Sequence, residues 1–379
     1  MERNSKIDKR NSERLPRRRN FLKISVLTGA ASLSAGLVSP SFAAPVKKNR
    51  KLRIGALAVG AHSFWSYTWG DILSPYGTTV NRGSLETDLF NMEITHVWDV
   101  NPEEAQKFAA KVGASAVKRY DDMVGKVDAI AFGGYYEVPW QNKLARPYIE
   151  AGIPTYLSRP FAYSLRDIDE LLDTAAKHST PIMATDVYEH LYAATTLKKQ
   201  IRNIGEIECI HGTCLTHEYP ALFHTPYLMF KVFGYDIGKV SIITDNPNES
   251  TYLVGTYLYK ERENQPTFPA TLTMTPRGDL YSMTVSGTKG TESSCLPVFE
   301  NWQDDLLIHH VPMLVAMQRT FEGKLFEPYD NIRKKTELFL SGFYSASERD
   351  GAPVDVGTVP TGWRALPIKP DWIDEAMFK

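Results

Sequence analysis

Hydrophobic residues in the first half of the chain occur either in short continuous runs or in stripes at helical spacing. Between residues 51 and 181 the runs predict buried strands and the stripes predict amphipathic helices. The predicted strands are 52–59, 93–98, 127–132 and 155–157, and the predicted helices are 102–112, 140–151 and 165–177. Strands and helices that alternate in this way form parallel βαβ units. The pattern therefore predicts a doubly wound parallel sheet that binds ligands beyond the carboxyl ends of its strands.

The pattern changes after residue 183, where polar and apolar residues alternate singly in segments rich in Thr, Tyr and Val. Such alternation is typical of antiparallel strands with one buried face. The predicted strands are 240–243, 251–260, 270–275 and 281–286, followed by helices at 311–322 and 332–348. We therefore expect an α/β domain at 44–182 and an α+β domain at 183–379.

The first 43 residues predict an export signal. A basic segment ends in Arg17, Arg18 and Arg19 and is followed by Phe-Leu-Lys and a weakly apolar run of about 15 residues. That run is too short and too mild to form a stable membrane anchor. The order of these features is typical of a twin-arginine signal. We expect contact with the twin-arginine translocase, cleavage near Ala43 and a periplasmic or otherwise exported protein.

Charge and cysteine content exclude several classes. Residues 1–43 hold nine Lys and Arg against three Asp and Glu, so the remainder, with 34 basic and 41 acidic residues, has a net charge of −7. An acidic body argues against nonspecific nucleic-acid binding, which needs a basic surface. The three cysteines, Cys209, Cys214 and Cys295, lack the spacing of a metal site and are too few for a disulfide framework.

One stretch carries a family resemblance. Residues 151–162 read AGIPTYLSRPFA, which resembles the hallmark A-G-k-x-V-x-x-E-K-P-x-a of the glucose-fructose oxidoreductase, inositol dehydrogenase and MocA (Gfo/Idh/MocA) family. Further similarities follow in the family's order at 203–207, 313–323 and 341–356. The resemblance implies an N-terminal Rossmann-like doubly wound parallel sheet, then an α+β domain with a large, mostly antiparallel sheet. It also implies NAD(P) as cofactor and assembly into a homo-oligomer through the second sheet.

The expected cofactor site departs from the family pattern. The family's first turn is usually G-x-G-x-x-G/A, whereas residues 58–63 read AVGAHS and keep the middle glycine alone. Small residues still let a phosphate approach the backbone, although the loop could also be a turn that binds no nucleotide. The expected cofactor-binding residues are Gly60, His62, Ser63, Asp99, Gly133, Tyr136 and Arg159. Asp99 favours NAD over NADP because its carboxylate would repel a 2′-phosphate.

The expected catalytic residues depart as well. The hallmark lysine, which in the family assists proton transfer, is Arg159, and arginine is a poor general base. His224 matches the histidine of the family's D-x-x-x-H-x-x-D pattern, whose two acids are replaced by Pro220 and Tyr227. We expect His224 to be the acid/base, with Tyr227 as the second candidate and Arg159 as a binding group.

Two groups of side chains leave alternatives open. The aromatic segment 62–69 could stack on a ligand beside the cofactor loop or fill the core between the domains. Several His and acidic residues near the start of the second domain could hold a transition metal or line a polar sugar-binding wall, although they match no tight metal signature. They are Asp186, Glu189, His190, His211, His217, Glu218 and His224. No metal ligand is assigned.

The sequence therefore predicts an exported NAD(P)-dependent oxidoreductase with tightly bound cofactor that acts on a secondary alcohol of a carbohydrate or cyclitol. Loss of the lysine and both acids leaves two alternatives. One is a metal-assisted or transient-redox lyase or glycosidase acting on a sugar, and the other is a non-catalytic sugar-binding protein on the same scaffold.

Overall fold

The computed structural model describes residues 50–73, 90–215, 224–244, 253–275, 282–295, 302–366 and 373. The expected export signal and its cleavage site near Ala43 lie outside this range. Within it, no helix combines the length and the apolar content needed to cross a membrane.

Six parallel strands form the first sheet. They are β1 (Leu52–Leu57), β2 (Met92–Trp98), β3 (Ser115–Ala116), β4 (Ala129–Phe132), β5 (Thr155–Leu157) and β6 (Ile182–Ala184). Their order in the sheet is β3-β2-β1-β4-β5-β6. Successive strands are added on one side of β1 up to β3 and on its other side from β4 onward, although all strands are parallel. The carboxyl ends of β1 and β4 therefore flank the crevice in which doubly wound folds bind ligands. The predicted parallel sheet is confirmed.

Helices cover both faces of this sheet. In chain order they are a π-helical turn (Trp65–Trp69) continuous with α1 (Gly70–Leu73), then α2 (Pro102–Val112), α3 (Gln141–Glu150) and α4 (Leu165–His178). The predicted start of α2 is confirmed in detail, because the Asn101 side chain accepts a hydrogen bond from the backbone N–H of Glu103 and Pro102 occupies the first turn.

The aromatic segment after β1 fills the core. Trp65 and Trp69 are fully buried, and their rings meet edge to face at 5.1 Å. Trp69 also donates a hydrogen bond of 2.9 Å from its indole nitrogen to His310 Nδ1. Of the two alternatives for this segment, the core between the domains is therefore the one that fits these two tryptophans.

The second sheet has seven strands in the order β12-β11-β7-β10-β9-β8-β13. They are β7 (Ile207–Leu215), β8 (Ile237–Thr244), β9 (Leu253–Tyr259), β10 (Phe268–Thr275), β11 (Ser282–Gly287), β12 (Gly290–Cys295) and β13 (Val354–Asp355). The accompanying helices are α5 (Tyr192–Gln200), α6 (His224–Phe233), α7 (Trp302–Phe321) and α8 (Tyr329–Glu348). All neighbouring strands pair antiparallel except β7 and β10, so the predicted mostly antiparallel sheet is confirmed.

The two sheets are connected through buried polar and apolar contacts. Helix α7 contributes Met313, Leu314 and Met317 to the core that also contains the aromatic segment. Helix α8 contributes Lys335, which is fully buried and contacts the carbonyl of Ala184 at the end of β6 at 2.5 Å. The Lys335 ammonium also pairs with Glu327 at 2.5 Å and Glu189 at 3.2 Å. This cluster fixes the segment that follows β6 against α8.

We predict that Lys335→Met lowers the free energy of unfolding by about 3–5 kcal/mol, because it leaves two buried carboxylates without their cation. Chemical denaturation followed by circular dichroism measures this change. The double variant Lys335→Met/Glu327→Gln should recover part of the loss, and Lys334→Met, on the exposed face of the same helix, should change little. A Lys335→Met protein as stable as the wild type would contradict the prediction.

Candidate active site

Three side chains meet beyond the carboxyl ends of β5 and β6. Arg159 follows β5, Asp186 follows β6, and His224 is the first residue of α6 in the second domain. Arg159 Nε lies 2.8 Å from Asp186 Oδ2, and His224 Nδ1 lies 2.9 Å from the same oxygen. His224 Nε2 lies 2.9 Å from an Arg159 guanidinium nitrogen. The three groups form a closed triangle, and two of them, Arg159 and His224, were predicted as catalytic.

Asp186 holds this triangle. It caps the 3₁₀ turn at 187–190, where its side chain accepts the backbone N–H of Tyr188 at 2.8 Å while the Glu189 carboxylate accepts the Asp186 N–H at 3.2 Å. Burial by itself would raise the pKa of Asp186, but the charges of His224 and Arg159 and the hydrogen bonds outweigh it, so the pKa lies below its usual value. Asp186 is therefore a carboxylate at neutral pH.

His224 is the most accessible member of the triangle. Its side chain is 20% exposed, against 7% for Arg159 and none for Asp186. Because Nδ1 faces a carboxylate, it carries a proton in both charge states, and in the neutral imidazole Nε2 is the basic nitrogen that accepts from Arg159. The Tyr188 ring lies 4.8 Å from the imidazole on one side.

His309 was not expected at the site. Its ring lies 5.4 Å from Tyr188, and burial together with the charge of His224 lowers the pKa of His309 to about 4. A neutral imidazole therefore packs on Tyr188, the ring that also contacts His224. The sequence offered no signal for this, because His309 and His310 begin no motif and come from a helix more than 80 positions away.

Tyr227 is placed differently from the prediction. It is 1% exposed and packs against Phe161 at 5.6 Å and Phe230 at 5.9 Å. Burial raises the pKa of its phenol well above the usual value. The second acid/base candidate thus lies in a hydrophobic core to which both domains contribute.

The metal-binding alternative has no support among the residues that the structure describes, where no group of three or more His, Cys, Asp and Glu could hold a metal ion. His211 is exposed on β7. His190 is half-buried and lies 3.0 Å from the Thr185 hydroxyl. The remaining members His217 and Glu218 lie outside the described residues.

The expected cofactor residues surround the crevice between β1 and β4. Asp99, at the end of β2, accepts hydrogen bonds from the backbone N–H groups of Gly60 at 2.6 Å and Asn101 at 2.8 Å. A Cβ added at Gly60 would lie 3.1 Å from the Asp99 carboxylate, so glycine permits this close approach. Ala58, at the family's first glycine, adopts the left-handed conformation with φ of 55°, which is strained for alanine.

The loops after β1 and β4 are hydrogen-bonded to each other across the crevice. Phe64 N–H donates to the Gly133 carbonyl at 2.9 Å, Tyr135 N–H donates to the His62 carbonyl at 3.1 Å, and Gly133 N–H donates to the Leu57 carbonyl at 3.1 Å. The Ser63 hydroxyl donates to Gly60 within its own loop at 2.7 Å. The side chains of His62 and Tyr136 meet at 5.2 Å. A dinucleotide that crossed this crevice would need the two loops to separate.

Two aromatic rings continue this closure toward the triangle. The Arg159 guanidinium carbon lies 4.6 Å from the centre of the Phe64 ring and 5.8 Å from that of Tyr135. Phe64 and Tyr135 pack on each other at 4.8 Å. Cation–π attraction therefore holds the loops against Arg159, and the rings stand between the crevice and the acid/base group.

The polar groups that line the crevice are suited to a dinucleotide. Asp99 lies at the strand end where doubly wound folds bind the ribose of the adenosine half. Glu137, after β4, is 4% exposed, and its Oε2 has no hydrogen-bond partner among the described residues. A buried polar atom without a partner indicates a missing ligand atom or water. The groups are thus suited to NAD once the loops separate.

Comparison with protein-family models matches residues 70–185 to the Gfo/Idh/MocA oxidoreductase family, described as an NAD-binding Rossmann fold. The match covers less than a third of the chain and begins after β1 and the altered glycine loop. The fold is that of the Gfo/Idh/MocA oxidoreductases. NAD is the cofactor that the matched family model indicates.

Solved structures with the Gfo/Idh/MocA fold cover most of the chain. Apo scyllo-inositol dehydrogenase from Lactobacillus casei aligns with a TM-score of 0.66 and 13% identity over 82% of this chain and 100% of that one. Myo-inositol dehydrogenase from Lactobacillus casei in complex with NAD(H) and myo-inositol aligns with a TM-score of 0.64 and 12% identity over 82% of this chain and 98% of that one. An oxidoreductase from Agrobacterium radiobacter in complex with NAD⁺, L-tartaric acid and magnesium aligns with a TM-score of 0.63 and 14% identity over 81% of this chain and 99% of that one. No curated protein sequence matches the chain.

We predict that Glu137→Gln stabilises the protein increasingly as the pH rises. Burial, followed by the charge of Asp99, raises the pKa of Glu137 from 4.5 to about 8. The unfolded chain therefore ionises first, and the wild type loses stability as the pH rises from about 4.5 to about 8. Between pH 5 and pH 8 the advantage of glutamine should grow by up to about 4 kcal/mol, at about 1.4 kcal/mol per pKa unit.

Urea denaturation at several pH values measures this difference. Glu150→Gln is the matched control, because Glu150 is half exposed at the end of α3. Parallel stability curves for Glu137→Gln and the wild type would show that Glu137 ionises normally in the folded protein.

Proposed function

We propose that this protein is an NAD-dependent oxidoreductase that acts on a secondary alcohol of a carbohydrate or cyclitol. The carrying observation is the triangle of Asp186, Arg159 and His224 beyond the carboxyl ends of the parallel strands. The polyol class is supported by the inositol dehydrogenases, whose fold this chain shares.

The chemistry of alcohol oxidation needs a hydride acceptor and a proton acceptor. NAD, when bound, would supply the acceptor for the hydride of the carbinol carbon. His224 Nε2 takes the hydroxyl proton, and the imidazolium that forms is stabilised by the Asp186 carboxylate 2.9 Å from Nδ1. In the reverse direction the same imidazolium returns the proton to the alkoxide.

Arg159 has a binding role in this mechanism. Its guanidinium stays protonated and donates toward His224 Nε2. When a substrate hydroxyl is present, the same N–H groups can donate to the oxygen as negative charge develops on it. Asp186 pairs with Arg159 Nε at 2.8 Å, and one outer guanidinium nitrogen lies 2.9 Å from His224 Nε2, the atom that would take the substrate proton.

The crevice residues would hold the cofactor. Asp99 would accept hydroxyls of the adenosine ribose after releasing Gly60, whose N–H would become available to the pyrophosphate. The Asp99 carboxylate favours NAD over NADP. We propose that His62, Ser63, Gly133 and Tyr136 line the path of the cofactor once the loops separate.

The proposed location and assembly rest on the sequence and on its resemblance to the family. We propose export by the twin-arginine translocase with NAD bound tightly before export, since that route carries folded proteins. We also propose a homo-oligomer formed through the second sheet. Ile243 on β8 and Val254 on β9 are paired neighbours and remain 60% and 39% exposed, which supports contact on this face.

We predict that His224→Ala lowers NAD-dependent polyol oxidation by about 100-fold or more, because it removes the group that takes the proton. The measurement is NADH absorbance during turnover of a panel of inositols and hexoses. His178→Ala, an exposed histidine at the end of α4, serves as control. Equal turnover by His224→Ala and the wild type would remove His224 from the mechanism.

We predict that Phe64→Leu binds NAD about 5-fold or more tightly than the wild type. Leucine keeps the apolar volume in the core but removes the ring on Arg159, and a cation–π contact of about 1 kcal/mol opposes opening of the loops. Calorimetry with NAD measures the change. Tyr67→Leu removes a ring that is 41% exposed and lies 6.0 Å from Tyr135, and it should leave the affinity unchanged. Weaker binding by Phe64→Leu would contradict closure by Phe64.

A further inference from the structure

The Glu137 side chain is enclosed at the floor of the crevice. It follows β4, and its carboxyl group lies against Gly134, where an added Cβ would overlap both Glu137 Oε2 and the Cβ of Ala58. Ala58 belongs to the loop after β1. The carboxyl group therefore lies between the ends of the two strands that flank the crevice.

The Glu137 carboxyl group is only partly satisfied. The backbone N–H groups of Tyr136 and Glu137 interact with it, but Oε2 receives no hydrogen bond among the described residues. The nearest strongly interacting charge is that of Asp99, which repels a second carboxylate. A buried carboxyl oxygen without a partner destabilises a folded protein. Oε2 is therefore suited to a ligand.

We propose that Glu137 is a further cofactor-binding residue of this protein, which hydrogen-bonds a ribose hydroxyl in the nicotinamide half of NAD. This inference rests on the proposed function and adds a residue to its cofactor site.

Strand topology selects the nicotinamide half. A doubly wound sheet binds a dinucleotide across its switch point, one mononucleotide over each half of the strands. Asp99 follows β2, on the side of the adenosine, whereas Glu137 follows β4, on the opposite side of β1. On that side the β5 loop carries Arg159, and the acid/base triangle lies next to it. A group after β4 therefore faces the ribose that precedes the reacting ring.

The protonation state of Glu137 suits this role. Burial raises the pKa of Glu137 to about 8, so the group is largely neutral at pH 7 and has one O–H donor as well as acceptor oxygens. A ribose hydroxyl both donates and accepts, and it matches such a group. A neutral acid also avoids repelling the pyrophosphate that must pass close by. The backbone N–H groups of Tyr136 and Glu137 oppose the rise without reversing it.

The test compares Glu137→Met, Glu137→Gln and the control Glu150→Met in the full-length protein, with three probes: NAD, ADP-ribose and AMP. ADP-ribose contains the second ribose without nicotinamide, whereas AMP contains the adenosine half alone. Binding is measured by calorimetry and thermal stability without ligand by differential scanning fluorimetry.

Glu137→Met should weaken binding of NAD and ADP-ribose by about 10-fold, the effect of losing about 1.4 kcal/mol, and leave AMP binding within about twofold. Without ligand it should raise the melting temperature by a few degrees, because a buried acid with an unpartnered oxygen is removed. Glu137→Gln keeps a donor and an acceptor and should retain most of the affinity. Glu150→Met should change neither property.

Two results would overturn the inference without contradicting the proposed use of NAD. One is an unchanged NAD affinity of Glu137→Met. The other is a loss of AMP affinity equal to the loss of NAD affinity, which would indicate general disruption of the crevice. A lower melting temperature of Glu137→Met without ligand would also overturn it, since it would show a structural role. If the wild type and the Phe64→Leu variant bind neither NAD nor ADP-ribose, the proposed cofactor use falls together with the inference.

Discussion

One buried carboxylate organises the centre of this molecule. Asp186 ends the segment after β6, caps the turn that follows it and contacts both Arg159 and His224. Arg159 comes from the first sheet's loops and His224 from the second domain, so a single anion connects the two domains at the point where chemistry is proposed. Its burial is tolerated because two cationic or protonatable groups and a backbone N–H surround it.

The Lys335 cluster supports this anion from behind. Lys335 pairs with Glu189, and Glu189 in turn accepts the backbone N–H of Asp186. Helix α8 of the second domain thereby fixes the backbone of the segment that carries Asp186. The capping box at 186–189 joins two charge clusters. One cluster has the Asp186 anion at its centre, and the other has the Lys335 cation. The orientation of His224 thus depends on residues distant in sequence.

Hydrophobic periodicity predicted the two-domain architecture, because strands and helices with a buried face have apolar residues at regular spacing in the sequence. Helix α2 and strand β5 were predicted at the bounds observed, and His224 and Arg159 were predicted through family motifs. The sequence could not predict Asp186 as their common partner, because it was grouped with metal-ligating candidates by residue type alone. Tyr227 is buried in the structure, and its position in a motif carries no information about which face of α6 is buried. The contact of Phe64 with Arg159 depends on loop conformation, for which neither periodicity nor a motif provides a signal.

The closed crevice is a balance of opposing terms of similar size. Three backbone hydrogen bonds between or beside the loops contribute about 1 kcal/mol each, and the ring of Phe64 on Arg159 adds about 1–2 kcal/mol. Against them stand the strained backbone of Ala58 and the unpartnered Oε2 of Glu137, each unfavourable by about 1–3 kcal/mol. The closed arrangement is therefore favoured by no more than a few kcal/mol. On the proposed function, a ligand that satisfies Glu137 Oε2 and frees Gly60 would shift this balance toward an open form, and its apparent affinity would be reduced by the fraction of molecules that are closed. Ala58 and Ser63 stand where the family pattern has its first glycine and its final Gly or Ala. This difference agrees with a loop that is closed when no ligand is bound.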